Sequence, residues 1–206
     1  MLAAVTLSLQ VQRATLDLLD GLNIEIAAHN SAGIPVDVRF TEPLEYAIDV
    51  LHGADVVWTS TPATPSQPTS VPPHTKRLLP GPSVLAIYIW NEETKDNASV
   101  APGDYVVRVR LLGDGITPQA TVNVHFISPT PISALGALHL GDALTIAGRF
   151  DPVAQTLTDT TGNVKLTKRL PTAPTDEPIA VRGYSIALPD RTRAFFVERW
   201  ARIAKP

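Results

Sequence analysis

Apolar and polar residues alternate one for one in short runs along most of this chain, and that period of two restricts the fold more than any other feature. Before residue 128 the runs are LNIEIAAH (22–29), VDVRF (36–40), YAIDVL (46–51), DVVW (55–58), VLAIYIW (84–90), YVVRVRLL (105–112) and ATVNVHF (120–126). Successive side chains of an extended strand point to opposite faces, so each such run presents one face to a core and one to water. Turn residues bound the runs, among them Asn30-Ser31-Ala32-Gly33, Pro102-Gly103-Asp104 and Gly113-Asp114-Gly115. Seven or eight short strands in roughly 125 residues predict an antiparallel sandwich. The 19 prolines agree with this, because a residue without an N–H belongs in connections and at edges.

After Phe126 the segment ISPTPISAL, with Pro129 and Pro131, reads as a linker, which divides the chain into 1–128 and 129–206. The alternation then resumes in ALTIAGRF (143–150), TLTDTTGNVKLT (156–167), IAVRGYSI (179–186) and AFFVERWARI (194–203). Asp159-Thr160-Thr161-Gly162-Asn163 has the residues of a hairpin turn. About five strands in the second part predict a small barrel.

The 206 residues suffice for two cores. Charge separates the two parts. Residues 1–128 carry 7 Lys+Arg against 13 Asp+Glu, net −6, and residues 129–206 carry 10 against 7, net +3, which together give the overall −3. An anionic partner would therefore favour the second part. The absence of cysteine excludes a disulfide framework, a thiol nucleophile and a cysteine zinc site. It also fits a reducing compartment, so a cytoplasmic location is expected, with the cell envelope or secretion as the alternative. MLAAVTLSLQVQR reads as a first strand (Val5, Leu7, Leu9, Val11), without the basic start and apolar block of a signal peptide. No run reaches the ~18–20 apolar residues of a spanning helix, so no transmembrane segment is expected.

His29, His52, His74, His125 and His139 show no metal-ligand spacing. Glu92, Glu93, Asp96 and Asp104 lie in or beside NEETKDNASVAPGD, which reads as a solvated turn, with a hard cation such as calcium as the functional alternative. The chain has no phosphate loop, no G-x-S-x-G elbow and no H-E-x-x-H element. The expectation is a protein that is not an enzyme and holds no cofactor.

Asn30, the VDVRF strand, Tyr46, Ile48, Gly53 with Val56-Val57-Trp58, Leu79-Pro80-Gly81, Trp90 and Pro102-Gly103-Asp104-Tyr105-Val106 form an ordered series over roughly residues 5–126. In this series the first part resembles the intracellular proteinase inhibitor (BsuPI) family. The resemblance implies an immunoglobulin-like β-sandwich and a protein partner, a serine protease met by loops at one end. The chain departs from the family in the long insert TSTPATPSQPTSVPPHTKRLL (59–79). Prolines favour an extended backbone that a partner can grip at low entropic cost, which makes Lys76, Arg77 and Leu78 the candidate protein-binding loop.

The second part resembles an OB-fold, through the strand ending Gly148-Arg149-Phe150, the TLTDTTGNVKL hairpin, Ala180-Val181-Arg182-Gly183 and a last strand with Trp200. That resemblance implies single-stranded nucleic acid as the alternative partner, with Arg149, Lys165, Lys168, Arg169 and Arg182 as candidate contacts. The hairpin carries no aromatic for base stacking, and Phe195, Phe196 and Trp200 read as core and barrel-end residues. The overall expectation is an all-β protein: an immunoglobulin-like antiparallel β-sandwich followed by a small OB-like β-barrel, acting as a protein-binding module. A structural module of the cell envelope is a third possibility.

Overall fold

The computed structural model describes residues 4–41, 44–61 and 72–204. The strands are β1 (Val5–Val11), β2 (Thr15–Asp17), β3 (Leu22–Asn30), β4 (Val36–Phe40), β5 (Tyr46–His52), β6 (Asp55–Thr59), β7 (His74–Leu78), β8 (Gly81–Trp90), β9 (Gly103–Leu111) and β10 (Gln119–Ile127). A 3-10 turn over Ile132–Ala137 follows, then β11 (Ala143–Asp151), β12 (Thr156–Thr158), β13 (Asn163–Leu166), β14 (Pro178–Ala187) and β15 (Arg193–Arg202). The runs identified by alternation fall in strands, and TLTDTTGNVKLT is the hairpin of β12 and β13. The chain is all-β, an immunoglobulin-like sandwich and an OB-like barrel, and it forms two compact units.

The first unit comprises the described residues of Met1–Ala14, Leu22–Trp90 and Asp104–Val124. One sheet has the order β1-β3-β8, antiparallel throughout, and another runs β10-β9-β5-β6. β4 and β7 form a separate antiparallel pair. The alternation of β3 decides its inward face: Leu22, Ile24 and Ile26 are fully buried, as are Ile48 and Val50 of β5 and Val107 and Val109 of β9. Trp90 is buried, and Trp58 leans on both Tyr88 and Trp90 with ring centroids 5.7 and 6.0 Å apart. The two tryptophans of the ordered series thus meet within this unit.

Asn30 shows how a turn residue fixes this unit. Its side-chain amide donates to the Ile34 and Leu78 carbonyls (2.8 and 3.0 Å), and its Oδ1 accepts the Ala32 N–H (2.9 Å). The side chain is buried, so removing it leaves two carbonyls and an N–H without that partner. Asn30→Ala is expected to lower stability by about 1–3 kcal/mol, read as a lower urea midpoint at unchanged slope.

The second unit comprises the described residues of Thr15–Gly21, Asn91–Gly103 and His125–Pro206. Its centre is a closed barrel in the order β11-β12-β13-β15-β14, with β13 and β15 parallel and the other recorded pairs antiparallel. Ile146, Leu157, Ile179, Val181 and Phe195 are fully buried inside it, and Ile132 and Leu135 of the 3-10 turn join the same cluster. Closure brings backbones close together at Gly183, where a Cβ would lie 1.8 Å from the Phe196 carbonyl oxygen, beside a β-bulge at Arg182/Gly183.

Two stretches from the first part of the sequence also belong to this unit. β2 runs parallel to the end of β10, with Thr15 opposite His125. Leu18 is fully buried, and its carbonyl accepts the Thr145 hydroxyl of β11. The units are therefore interleaved along the chain, whereas the sequence suggests one division at 128/129.

Candidate protein-binding surface

β8 carries the feature that sets this surface apart. Its residues Leu85, Tyr88 and Trp90 turn inward or are half-buried, while Val84, Ile87 and Ile89 are 60, 70 and 61% exposed on the opposite face. A register shift opposite Ile26/Ala27 makes Leu85 the extra residue and keeps Val84, Ile87 and Ile89 on one side. β8 is also the last strand of its sheet, so its outer backbone edge has no strand partner among the described residues.

The strand GPSVLAIYIW contains no charged residue. Natural edge strands are usually blunted by charges or covered, because an open apolar edge is a template for another strand. The opposite edge of the same sheet, β1, presents the exposed polar side chains Thr6, Ser8 and Gln10. One edge is polar and the other apolar.

The sequence named this run as a strand and took it as scaffold. A stronger signal was present: VLAIYIW is apolar on both of its faces, as expected of a strand covered on both sides. Within the described residues the outer face has no cover.

Lys76, Arg77 and Leu78 do not form a loop. They lie in β7, opposite Val38, Asp37 and Val36 of β4. Arg77 makes two hydrogen bonds to Asp37 (2.7 and 2.9 Å), Lys76 pairs with Glu45 at 2.6 Å, and Leu78 is buried with Val38 and Phe40. Arg77 holds the Asp37 carboxyl below the usual carboxylate range. The strand forms because HTKRL finds in VDVRF an apolar face for Leu78 and, in Asp37, an acidic partner for Arg77. The expected proline-rich loop falls largely at 62–71, outside the described residues.

The candidate nucleic-acid contacts divide into two groups. Arg182 is 9% exposed and pairs with Asp17 at 2.8 Å and Asp20 at 2.9 Å. It serves the second unit's own packing. Arg149 and Lys165 are exposed on the outer face of β11, β12 and β13, in the cross-strand rows Arg149–Thr158–Asn163 and Asp151–Thr156–Lys165. Lys168 and Arg169 are exposed just after β13.

Those rows hold no aromatic. Phe195 is core and Trp200 is half-buried against the core, as expected, but Phe196 is 41% exposed and stacks on Tyr184 at 4.8 Å. Alternation explains the difference, since adjacent residues of a strand must face opposite ways. This aromatic pair lies on β14 and β15, across the barrel from β12.

Glu92 departs from the solvated turn expected around it. It is fully buried with φ +61°; its Oε1 accepts the Gly21 N–H, and its Oε2 has no hydrogen-bond partner. Burial raises its pKa to about 7, against the opposing pull of the Gly21 and Leu19 backbone and of Arg199, with Asp20 adding to the rise. Among the described residues no three His, Asp or Glu side chains come together as a metal site.

The geometry defines the class of molecule: a two-unit all-β protein in which β8 is an uncharged, apolar edge strand. No family model and no curated protein matches the sequence. Among solved structures it is similar to the Pseudomonas fluorescens alkylpurine DNA glycosylase AlkC bound to DNA containing an abasic site analog, at 17% identity and TM-score 0.37, over 61% of this chain and 31% of that one. A β-glucosidase from Erythrobacter marinus matches at 12% identity and TM-score 0.31, over 58% of this chain and 15% of that one. The sporulation control protein Spo0M from Bacillus subtilis matches at 10% identity and TM-score 0.39, over 98% and 89% of the two chains. The chain thus spans less than a third of the glycosylase and of the glucosidase, and at these values none of the likenesses carries an argument about function.

Proposed function

We propose that the chain is a non-enzymatic protein-binding module whose contact surface is the open edge and outer face of β8. The observation that supports this reading is the stripe of Val84, Ile87 and Ile89 on an uncharged edge strand. A partner that adds an extended strand there satisfies the open backbone groups and sets its own alternate side chains against the stripe. Lateral contact with the partner's side chains removes part of the stripe's exposed apolar area from water, at roughly 25 cal/mol per Å² before the cost of association.

Serine protease inhibition is the narrower form of this function that the resemblance of the sandwich suggests. The ion-paired β7 supplies no free loop at Lys76-Arg77-Leu78, so a protease would be met elsewhere. The nucleic-acid alternative retains Arg149, Lys165, Lys168 and Arg169 as phosphate contacts, without stacking on the strands that hold Arg149 and Lys165. Phosphate contacts alone give weak, salt-sensitive binding.

Displayed random peptides selected against the full chain test the reading. The expected ligands carry apolar residues at every second position and bind the double variant Ile87→Lys/Ile89→Lys at least about tenfold more weakly. Ligands that bind parent and variant equally would overturn β8 as the surface. Titrating a subtilisin-like and a trypsin-like protease with the same two proteins decides the narrower form: stoichiometric inhibition by the parent supports it, and undiminished protease activity removes it.

A further inference from the structure

We propose that the partner of β8 is a second copy of this chain, paired edge to edge and antiparallel about a two-fold axis. The inference rests on the reading of β8 as a binding surface and names the strand that pairs with its edge. A strand that fits this edge must be extended, uncharged and apolar at alternate positions. β8 of a second copy meets all three requirements and is always present at equal concentration.

The local geometry favours the pairing at one end of the strand. Pro82 lacks an N–H and Leu85 is the bulged residue, so the regular part of the edge is Ala86–Trp90. An axis at Tyr88 sets Ile87 of each copy opposite Ile89 of the other, on the outer face. Four isoleucines then form one apolar patch where each copy alone exposes two. Facing side chains in such pairs have Cβ atoms about 4.5–5.5 Å apart, within contact.

Charge does not oppose the arrangement. Among the outward-facing residues of β1, β3 and β8 the charged one is Glu25, opposite Ile87 on β3. In the paired state the two copies of Glu25 are separated by three inter-strand spacings, about 14 Å, beyond the screening length of about 10 Å at 0.1 M salt. A two-fold interface is closed, so β8 pairing stops at the dimer.

The absence of cysteine from the chain makes the test direct. Sedimentation of the full chain over about 1–200 µM is expected to show the 22.1 kDa monomer passing to twice that mass, and Ile87→Lys/Ile89→Lys is expected to remain monomeric across the range, with an unchanged circular dichroism spectrum and a melting temperature that, unlike the parent's, does not rise with concentration. Single-cysteine variants locate the contact. Under mild oxidation Ile87→Cys and Ile89→Cys, mixed together, are expected to give a cross-linked dimer, because opposed antiparallel positions have Cα atoms about 4.5–5.5 Å apart, within the range a disulfide spans. Ser8→Cys on the β1 edge is expected to give none.

A parent chain that stays monomeric at the highest concentration overturns the proposal, as does open-ended association or equal cross-linking at position 8. Peptide binding that survives in a monomeric parent would leave β8 as a surface for other proteins and reject only the second copy. A failure of both would reject the surface itself.

Discussion

Replacing Glu92 by Gln is expected to flatten the pH dependence of unfolding between about pH 4.5 and 7, and to leave the variant about 3 kcal/mol more stable than the parent above pH 7. The sign follows from where the proton is held. Unfolded, Glu92 titrates near its ordinary value of 4.5, whereas buried in the second unit it titrates at about 7. Between those values the folded chain binds more protons than the unfolded one, so stability falls as pH rises and levels off above 7. Glutamine retains an oxygen for the Gly21 N–H and places an uncharged amide where Oε2 lacks a partner, so the ionisation cost disappears while the packing is kept. Urea unfolding of both proteins at pH 5, 6, 7 and 8 reads the effect. Parallel pH profiles for parent and variant would show that Glu92 is not the group responsible.

Arg182→Ala is expected to destabilise the second unit by about 3–5 kcal/mol, the usual result of removing one partner from a buried ion pair. Its guanidinium is shared by Asp17 and Asp20, and the arginine is 9% exposed. Adding Asp17→Asn and Asp20→Asn to the alanine variant is expected to recover part of the loss, because the uncompensated charges are then gone. A second unit that unfolds at the parental urea concentration without Arg182 would refute the structural role and return this residue to the candidate phosphate contacts.

The strands were legible because one residue in two faces the core, and a period of that kind survives in a single sequence. The barrel hairpin was legible for the same reason, from Asp159 to Asn163 between two alternating runs. β7 was not, because HTKRL reads as a basic loop until Asp37 and Glu45 are placed across from it. The seven residues TLDLLDG also gave no sign of their destination, since Leu18 and Leu19 are adjacent apolar residues with no period of two, and Leu19 takes φ +66°. Glu92 looked like its solvated neighbours because burial is decided by segments far away in sequence. The surface at β8 had a trace in composition, an uncharged run apolar on both faces, but strand order is needed to show that one of its edges is open.

The interleaving of the two units bears on how the chain can be made. It changes unit at 14/15, 21/22, 90/91, 103/104 and 124/125. Domains generally fold as whole units while they emerge during synthesis, but here Leu18 and Glu92 leave the ribosome long before Thr145 and Arg199 exist to enclose them. A fragment ending at residue 128 carries both stretches without the barrel that buries them. The first unit is thus born holding two pieces of the second, and a chaperone would meet the first of them as the exposed Leu16, Leu18 and Leu19 until the last strand arrives.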